Sequence, residues 1–275
     1  MKPTSIGGAL LDAGKITVAD AERILRLQKE KGLRFGDAGK ALKLITEEDI
    51  QQTLSEQFDF PFLANADSGL SEELIAAYRP FSPQVEVLRA IRSQLMLRWF
   101  TEQRKTLAIV SPAAKEGRSY LAANLAVVFS QLGERTLLID ADLRQPRQHL
   151  LFNIDTKQGL SDLLANRANA SVITKIPELK GLSIMTAGTI PPNPQELISR
   201  ALTNHLNQFS LDYDVILIDT PPASQGSDVQ LIAAKAMGAL LLARLHRSRL
   251  TDQEALKNSL ENSGAACVGS VVNDF

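Results

Sequence analysis

Ser111-Pro112-Ala113-Ala114-Lys115-Glu116-Gly117-Arg118-Ser119-Tyr120 follows the apolar run Leu107–Val110 and precedes a helix-patterned segment. A turn in that position presents backbone amides and a helix start to phosphate oxygens. It usually adds a lysine, and a Ser or Thr hydroxyl for Mg²⁺. Gly117 and Ser119 fit this chemistry, but Arg118 stands in the lysine position and the leading glycine is missing. Lys115, inside the loop, is a second candidate cation. Taken alone, the stretch also fits an ordinary strand-to-helix turn. Two further strand tips weigh against that. Leu137-Leu138-Ile139 runs into Asp140-Ala141-Asp142, and Val215-Ile216-Leu217-Ile218 runs into Asp219. A single acid after a strand is usually a turn former. Three of them opposite a Gly-Arg-Ser helix start supply the oxygen ligands that a hard cation needs.

These residues converge only if the chain places its strands side by side. From Thr106 onward, apolar runs at Leu107–Val110, Thr136–Ile139, Leu182–Met185, Val215–Ile218, Ala239–Leu245 and Val268–Val272 alternate with helix-like stretches at Ser119–Leu132, Gln195–Phe209, Gln230–Ala236 and Asp252–Asn262. Alternation of this kind predicts a parallel sheet with helices on both faces, binding its ligand beyond the carboxyl ends of the strands. The expected fold class is therefore α/β: a P-loop NTPase-like parallel sheet preceded by a small all-helical domain. A further helix is expected from about Val85 to Trp99.

The helical domain is read from Ser5 to Gln57, with the pattern of Ile50 and Leu54 running on to Phe58. Apolar residues recur at helical spacing over Val18, Ala21, Ile24 and Leu25. Thr17 and Thr46 precede acid-rich turns, a helix-capping signal. The unit is duplicated: Gly7 and Gly36, Thr17 and Thr46, and Gln28 and Gln57 are each 29 residues apart. Pro61, Asn65, Asp67, Ser68 and Gly69 mark a loop, and Pro80-Phe81-Ser82-Pro83 marks another. The expected boundaries are a helical unit at 1–62, a linker at 63–82 and a nucleotide-binding domain at 83–275.

Composition narrows the function classes. The chain has 275 residues, 44% hydrophobic and 22% charged, enough apolar material for a packed core. Thirty Lys and Arg against 31 Asp and Glu give a net charge of -1, so no nucleic-acid partner is expected. Cys267 is the single cysteine, which excludes a disulfide framework. No apolar run reaches the roughly 20 residues that span a bilayer, and Met1-Lys2-Pro3-Thr4 is expected to lead into no signal-peptide core. His149, His205 and His246 show no metal-ligand spacing. Arg244, His246, Arg247 and Arg249 form a small basic patch after one strand.

From about Ser82 to Phe275 the chain resembles the bacterial tyrosine kinases of exopolysaccharide synthesis, relatives of MinD/ParA-like P-loop ATPases. Leu137–Pro146 resembles their second Walker motif, and Val215–Pro222 resembles Walker B. Glu86, Arg89 and Arg92 resemble their Glu-x-x-Arg-x-x-Arg ring-assembly helix; a solvated charged face is the plainer reading. The whole layout looks most like the EpsG branch, described as chain-length-determinant tyrosine kinases. The duplicated unit resembles the N-terminal domain of type II secretion ATPases of the MshE type, which binds cyclic di-GMP. The matching residues are Ile6, Gly7, Leu10, Ala21, Leu25 and Gln28 in one copy and Arg34, Phe35, Gly36, Ile50, Leu54 and Gln57 in the other. Ser5 replaces an arginine of that pattern, and Gly39 an aliphatic residue. A protein-docking role for the unit is the alternative.

The resemblance implies ATP or ADP with Mg²⁺. Phosphates would lie over Lys115, Glu116, Gly117, Arg118, Ser119 and Tyr120, with Arg118 on the β/γ oxygens. Ser119, Asp142 and Asp219 would serve the metal, Asp140 would act as base or orienter, and Asn273 would read adenine. It also implies a homo-oligomer, a membrane chain-length determinant (polysaccharide co-polymerase) as partner, and a cytoplasmic place beside the inner membrane. The family's tyrosine-rich tail has no counterpart among Tyr78, Tyr120 and Tyr213. Three functions compete: a weak or partner-dependent kinase, a nucleotide-binding assembly module that senses cyclic di-GMP, and a partitioning ATPase. Ala113 in the signature-lysine position and the Glu86–Arg92 helix argue against the third.

Overall fold

The structure is a computed structural model that describes residues 5–57, 63 and 69–274. Phe58, Pro61, Asn65, Asp67 and Ser68 lie outside the described residues, as do the side chains of Glu48, Gln51, Ser55, Glu56 and Gln57. The chain divides into two compact units, Met1–Ala64 and Asn65–Phe275.

The first unit holds α1 (Ile6–Asp12), α2 (Val18–Lys31), α3 (Phe35–Ala41) and α4 (Glu47–Gln57). The repeat is visible in its caps. Thr17 and Asp20 form a capping box at α2, each satisfying the other's backbone amide, and Thr46 and Asp49 repeat it at α4. Leu10, Ile16, Ala21, Ile24, Ala38, Ile45 and Ile50 make the core. Both repeat glycines sit at close approaches: a Cβ on Gly7 would meet the Phe35 ring at 3.0 Å, and one on Gly36 would meet Ile50 at 2.9 Å.

The second unit opens with α5 (Ile75–Tyr78) and α6 (Pro83–Arg98). Its sheet contains β1 (Thr106–Val110), β2 (Thr136–Asp140), β3 (Ile173–Lys175), β4 (Leu182–Met185), β5 (Val215–Asp219), β6 (Gly238–Arg244) and β7 (Ala266–Asn273). Their order is β3-β4-β2-β5-β1-β6-β7, and every neighbouring pair is parallel except β3–β4. The intervening helices are α7 (Arg118–Gln131), α8 (Gln148–Leu151), α9 (Leu160–Leu164), α10 (Pro194–Asp212), α11 (Asp228–Ala236) and α12 (Leu250–Asn262). Strands β1, β2 and β5 are buried at every position, as a sheet covered on both faces requires. Helices α9 to α12 bury one face through Leu163, Ile198, Leu202, Ile232, Ala233 and Leu260. Helix α7 packs on β1, β2 and β5, and α5 and α6 pack on α7.

Within the span 63–82 expected as linker, residues 71–77 pack into the α/β unit. Ser71 donates to the Leu151 carbonyl, Ala76 donates to Asn124 Oδ1 at 3.0 Å, and Leu74, Ala76 and Ala77 are fully buried. A buried backbone needs such partners, and the polar Asn124 within apolar α7 supplies them. This segment is part of the α/β unit.

Candidate nucleotide site

Register builds the site. Parallel pairing sets Asp140 opposite Asp219 and Ile109 opposite Asp219, so the tips of β1, β2 and β5 share one sheet edge. The loop after β1 turns through Gly117 at φ 101°, a left-handed conformation that suits glycine, and α7 starts at once. The first amides of α7 have no partner within the helix.

A cleft of about 680 Å³ opens there. Four cations line it (Lys115, Arg118, Arg147, Arg244), against two carboxylates (Glu73, Asp142). That excess of positive charge suits a polyphosphate. Gly117, Ser119, Tyr120 and Gln145 complete the part of the wall nearest the helix start.

Each expected residue has a definite place. Ser119 lines the cleft, and its hydroxyl favours the charged form of Asp219. Asp142 lines the cleft, and its Oδ1 accepts the amide of Gln145 at 2.9 Å. Asp140 is fully buried: Oδ2 accepts the Arg147 and Gln148 amides at 2.9 Å each, and Oδ1 accepts the Asp142 amide at 3.2 Å. Asp140 therefore organises the loop that carries Asp142. Burial and the charge of Asp219 push the Asp140 carboxyl well above the usual range, against the pull of those amides. Burial also pushes Asp219 up, opposed by Gln148, Ser119 and the Arg118 charge.

Arg118, expected over the β/γ oxygens, is turned inward. Its Nε donates to the Thr220 carbonyl at 2.9 Å, and its Nη1 donates to the Ala113 carbonyl at 2.8 Å and to Ser111 Oγ. A planar fork can brace three acceptors at once, which a lysine ammonium cannot do in the same plane. Glu116 also faces inward. Its carboxylate accepts the Ala113 amide at 2.7 Å and the Ser248 hydroxyl, tying the loop to the turn after β6. Asn273 donates to the Glu116 carbonyl at 3.4 Å, so it stands beside the loop at the end of β7.

Sequence reasoning missed Glu73, Gln145, Arg147 and Gln148. Glu73 and Arg147 form a two-point ion pair at 2.7 and 2.8 Å across 74 residues. Among the described residues, no group of three or more His, Cys, Asp and Glu could hold a metal by itself. Mg²⁺ at a phosphate site is ordinarily held by one or two carboxylates plus the substrate's phosphates. Ser119, Asp142 and Asp219 fit that pattern, because Asp219 Oδ1 is buried without a hydrogen-bond partner.

Each of the three charged residues singled out on α6 has a partner within the α/β unit, although Arg92 Nε is buried without one. Glu86 pairs with Arg89, Arg89 lies 5.9 Å from the centre of the Phe81 ring, and Arg92 Nη1 donates to the Val128 carbonyl at 2.8 Å.

In the helical unit, Leu10 is fully buried, and Ile6, Phe35 and Leu54 pack on the core. Gln28 is half-buried, and Arg34 is exposed at the start of α3 with no side-chain cap bond. Gln57 ends α4, and its side chain lies outside the described residues. Val18 and Leu25, expected on the apolar face, are 68% and 49% exposed, because α2 packs through Ala21 and Ile24.

The fold and the cleft define a P-loop NTPase of the ParA type. The profile for that family, described as "ParA: NUBPL iron-transfer P-loop NTPase", matches residues 102–272. The tyrosine-protein kinase YwqD of Bacillus subtilis is 33% identical over 210 residues, 76% of this chain and 89% of that protein. The tyrosine-protein kinase Etk of Escherichia coli is 30% identical over 200 residues, 72% of this chain and 28% of that longer protein. The crystal structure of the chimerical protein CapA2B2 superposes with a TM-score of 0.69 at 34% identity, covering 83% of this chain and 98% of that one. The chain belongs to the bacterial tyrosine-protein kinase family.

Proposed function

We propose that this protein transfers the γ-phosphoryl group of ATP to protein tyrosine and so regulates exopolysaccharide chain length and export. Its partner is a membrane chain-length determinant, which holds it at the cytoplasmic face of the inner membrane. The observation that carries the enzymatic part is a cation-lined cleft with Ser119 and Asp142 on its wall, where Asp219, fully buried, ends the neighbouring β5. The first amides of α7 hold phosphate oxygens, and Lys115, Arg147 and Arg244 surround them with positive charge. Ser119 and Asp142, backed by Asp219, would hold Mg²⁺, which when bound neutralises charge on the β- and γ-phosphates. Asp142, on the cleft wall, would meet the acceptor hydroxyl. Glu86, with its side chain 60% exposed, is the member of the α6 trio most available to a second copy of the chain.

Mass spectrometry after incubation with ATP and Mg²⁺ tests this, with and without the partner's cytoplasmic segment. Phosphotyrosine is expected in at least one condition and lost on omission of Mg²⁺. Tight nucleotide binding with no phosphotyrosine in either condition would leave a nucleotide-binding assembly module.

A second reading, cyclic di-GMP sensing by the helical unit, is favoured by the exposure of Val18 and Leu25 on one face of α2. Arg34 supplies one cation for its phosphates, while Ser5 supplies none. Calorimetry on the full chain should then show micromolar binding, abolished by Arg34→Ala and tightened by Ser5→Arg. No heat at hundreds of micromolar ligand would leave protein docking as the role of the unit.

A further inference from the structure

Gln148 is fully buried and reaches three parts of the site. Its backbone amide donates to Asp140 Oδ2 at the tip of β2. Its Nε2 donates to Asp219 Oδ2 at 2.7 Å, at the tip of β5, and to the Ser119 carbonyl at 3.2 Å, in the first turn of α7. Both neighbours of Nε2 can only accept, so the amide nitrogen must occupy that position. A carboxamide offers two N–H groups there, one for each acceptor. A glutamate would set a carboxylate against Asp219.

With Oδ2 held, the other oxygen of Asp219 is left over. Asp219 Oδ1 and Gln148 Oε1 are both buried and without a hydrogen-bond partner. Buried acceptors ordinarily have partners, and two orphaned ones on a hydrogen-bonded pair of side chains suit the protons of a water molecule.

We infer that Gln148 is a positioning residue for Mg²⁺: it pins Asp219 through Oδ2 so that Oδ1 accepts from a water ligand of the metal. The inference rests on the nucleotide and Mg²⁺ reading of the cleft, and its test separates the two. Outer partners of this kind commonly change metal affinity about 10- to 100-fold when removed.

Gln148→Met keeps the volume and removes the donor. Gln148→Asn keeps the amide but is one methylene too short, and covers the case in which the Met variant does not fold. Binding of a fluorescent ADP analogue is titrated against Mg²⁺ and repeated in EDTA. The half-saturating Mg²⁺ concentration should rise about ten-fold in a cooperatively melting variant, with nucleotide affinity in EDTA unchanged and wild-type binding recovered at high Mg²⁺. Mg²⁺ curves that coincide with wild type overturn the inference. So does an equal loss of nucleotide affinity in EDTA, which marks a purely structural residue. A wild-type protein whose nucleotide binding ignores Mg²⁺ would overturn the metal reading itself, and this inference with it.

Discussion

The helical unit and the sheet edge use carboxylates in opposite ways. In the helical unit Asp20 and Asp49 sit at the surface, accept from the Thr17 and Thr46 hydroxyls and amides, and titrate below the ordinary range because those bonds favour the charged form. At the sheet edge Asp140 and Asp219 are buried side by side, and burial drives both upward. The contrast recurs at the two ends of a single strand. Asp214, just before β5, is lowered by a bidentate Arg135 pair, while Asp219, at its end, is raised. Carboxylates that steady the fold take nearby donors at the surface. Asp219, held against its own solvation at the sheet edge with an oxygen left over, is the one suited to chemistry.

The largest effect that would break this contrast concerns Asp219. Asp219→Asn can turn its remaining oxygen toward Gln148 and should fold normally. Autophosphorylation should fall about 100-fold or more, in line with loss of a metal-supporting group. Unchanged autophosphorylation would place the chemistry elsewhere.

Asp140→Asn should behave in the opposite manner. Both Asp140 oxygens accept backbone amides, so an NH₂ group would confront a donor. A loss of about 1–3 kcal/mol in urea denaturation is expected, and a variant as stable as wild type would contradict the loop-organising role.

In the helical unit, Thr17→Ala and Thr46→Ala should each cost about 1 kcal/mol of local stability by removing a cap. Phosphorylation by the α/β unit should be untouched. Far-ultraviolet circular dichroism during denaturation checks whether the two copies respond alike.

The smallest effect is with acid. The folded values of Asp20 and Asp49 lie below 3.8, so their contribution is full above that pH and is lost as the pH falls through the folded values. Helix content of the first unit should decline in that window, and Asp49→Asn should flatten the decline.

The sheet was legible because β1, β2 and β5 are buried apolar runs that end at acids, and the expected strands match those observed within two residues at each end. Short elements were not. Three residues of β3, reversed against β4, carry no periodicity. The phosphate loop was readable from Gly117 and Ser119, but the inward turn of Arg118 was not, since it depends on the Thr220 carbonyl 102 residues away. Glu73, Arg147 and Gln148 have no spacing to betray them, because tertiary pairing alone brings Glu73 and Arg147 to the cleft and Gln148 to Asp219. One signal was available: Asn124 in the apolar face of α7 needed a partner, and it donates to the Glu73 carbonyl at 2.9 Å. Val18 and Leu25 show the reverse failure, where helical spacing was right and the buried face lay to one side.

The pairing of Thr106 with Ile216 has a consequence in time. As the ribosome extends the chain, Thr106 of β1 is made 110 residues before its central partner Ile216 of β5. At about 5–20 residues per second that interval is roughly 5–20 s. Throughout it, Thr-Leu-Ala-Ile-Val is an apolar strand with no β5 to pair with, and Asp140 and Asp142, once made, have no Asp219 beside them. Closing so distant a pair makes the last steps of folding slow. The nucleotide cleft is therefore among the last features of the newborn molecule to exist, and a chain cut short before β5 would carry every residue of the phosphate loop and no site.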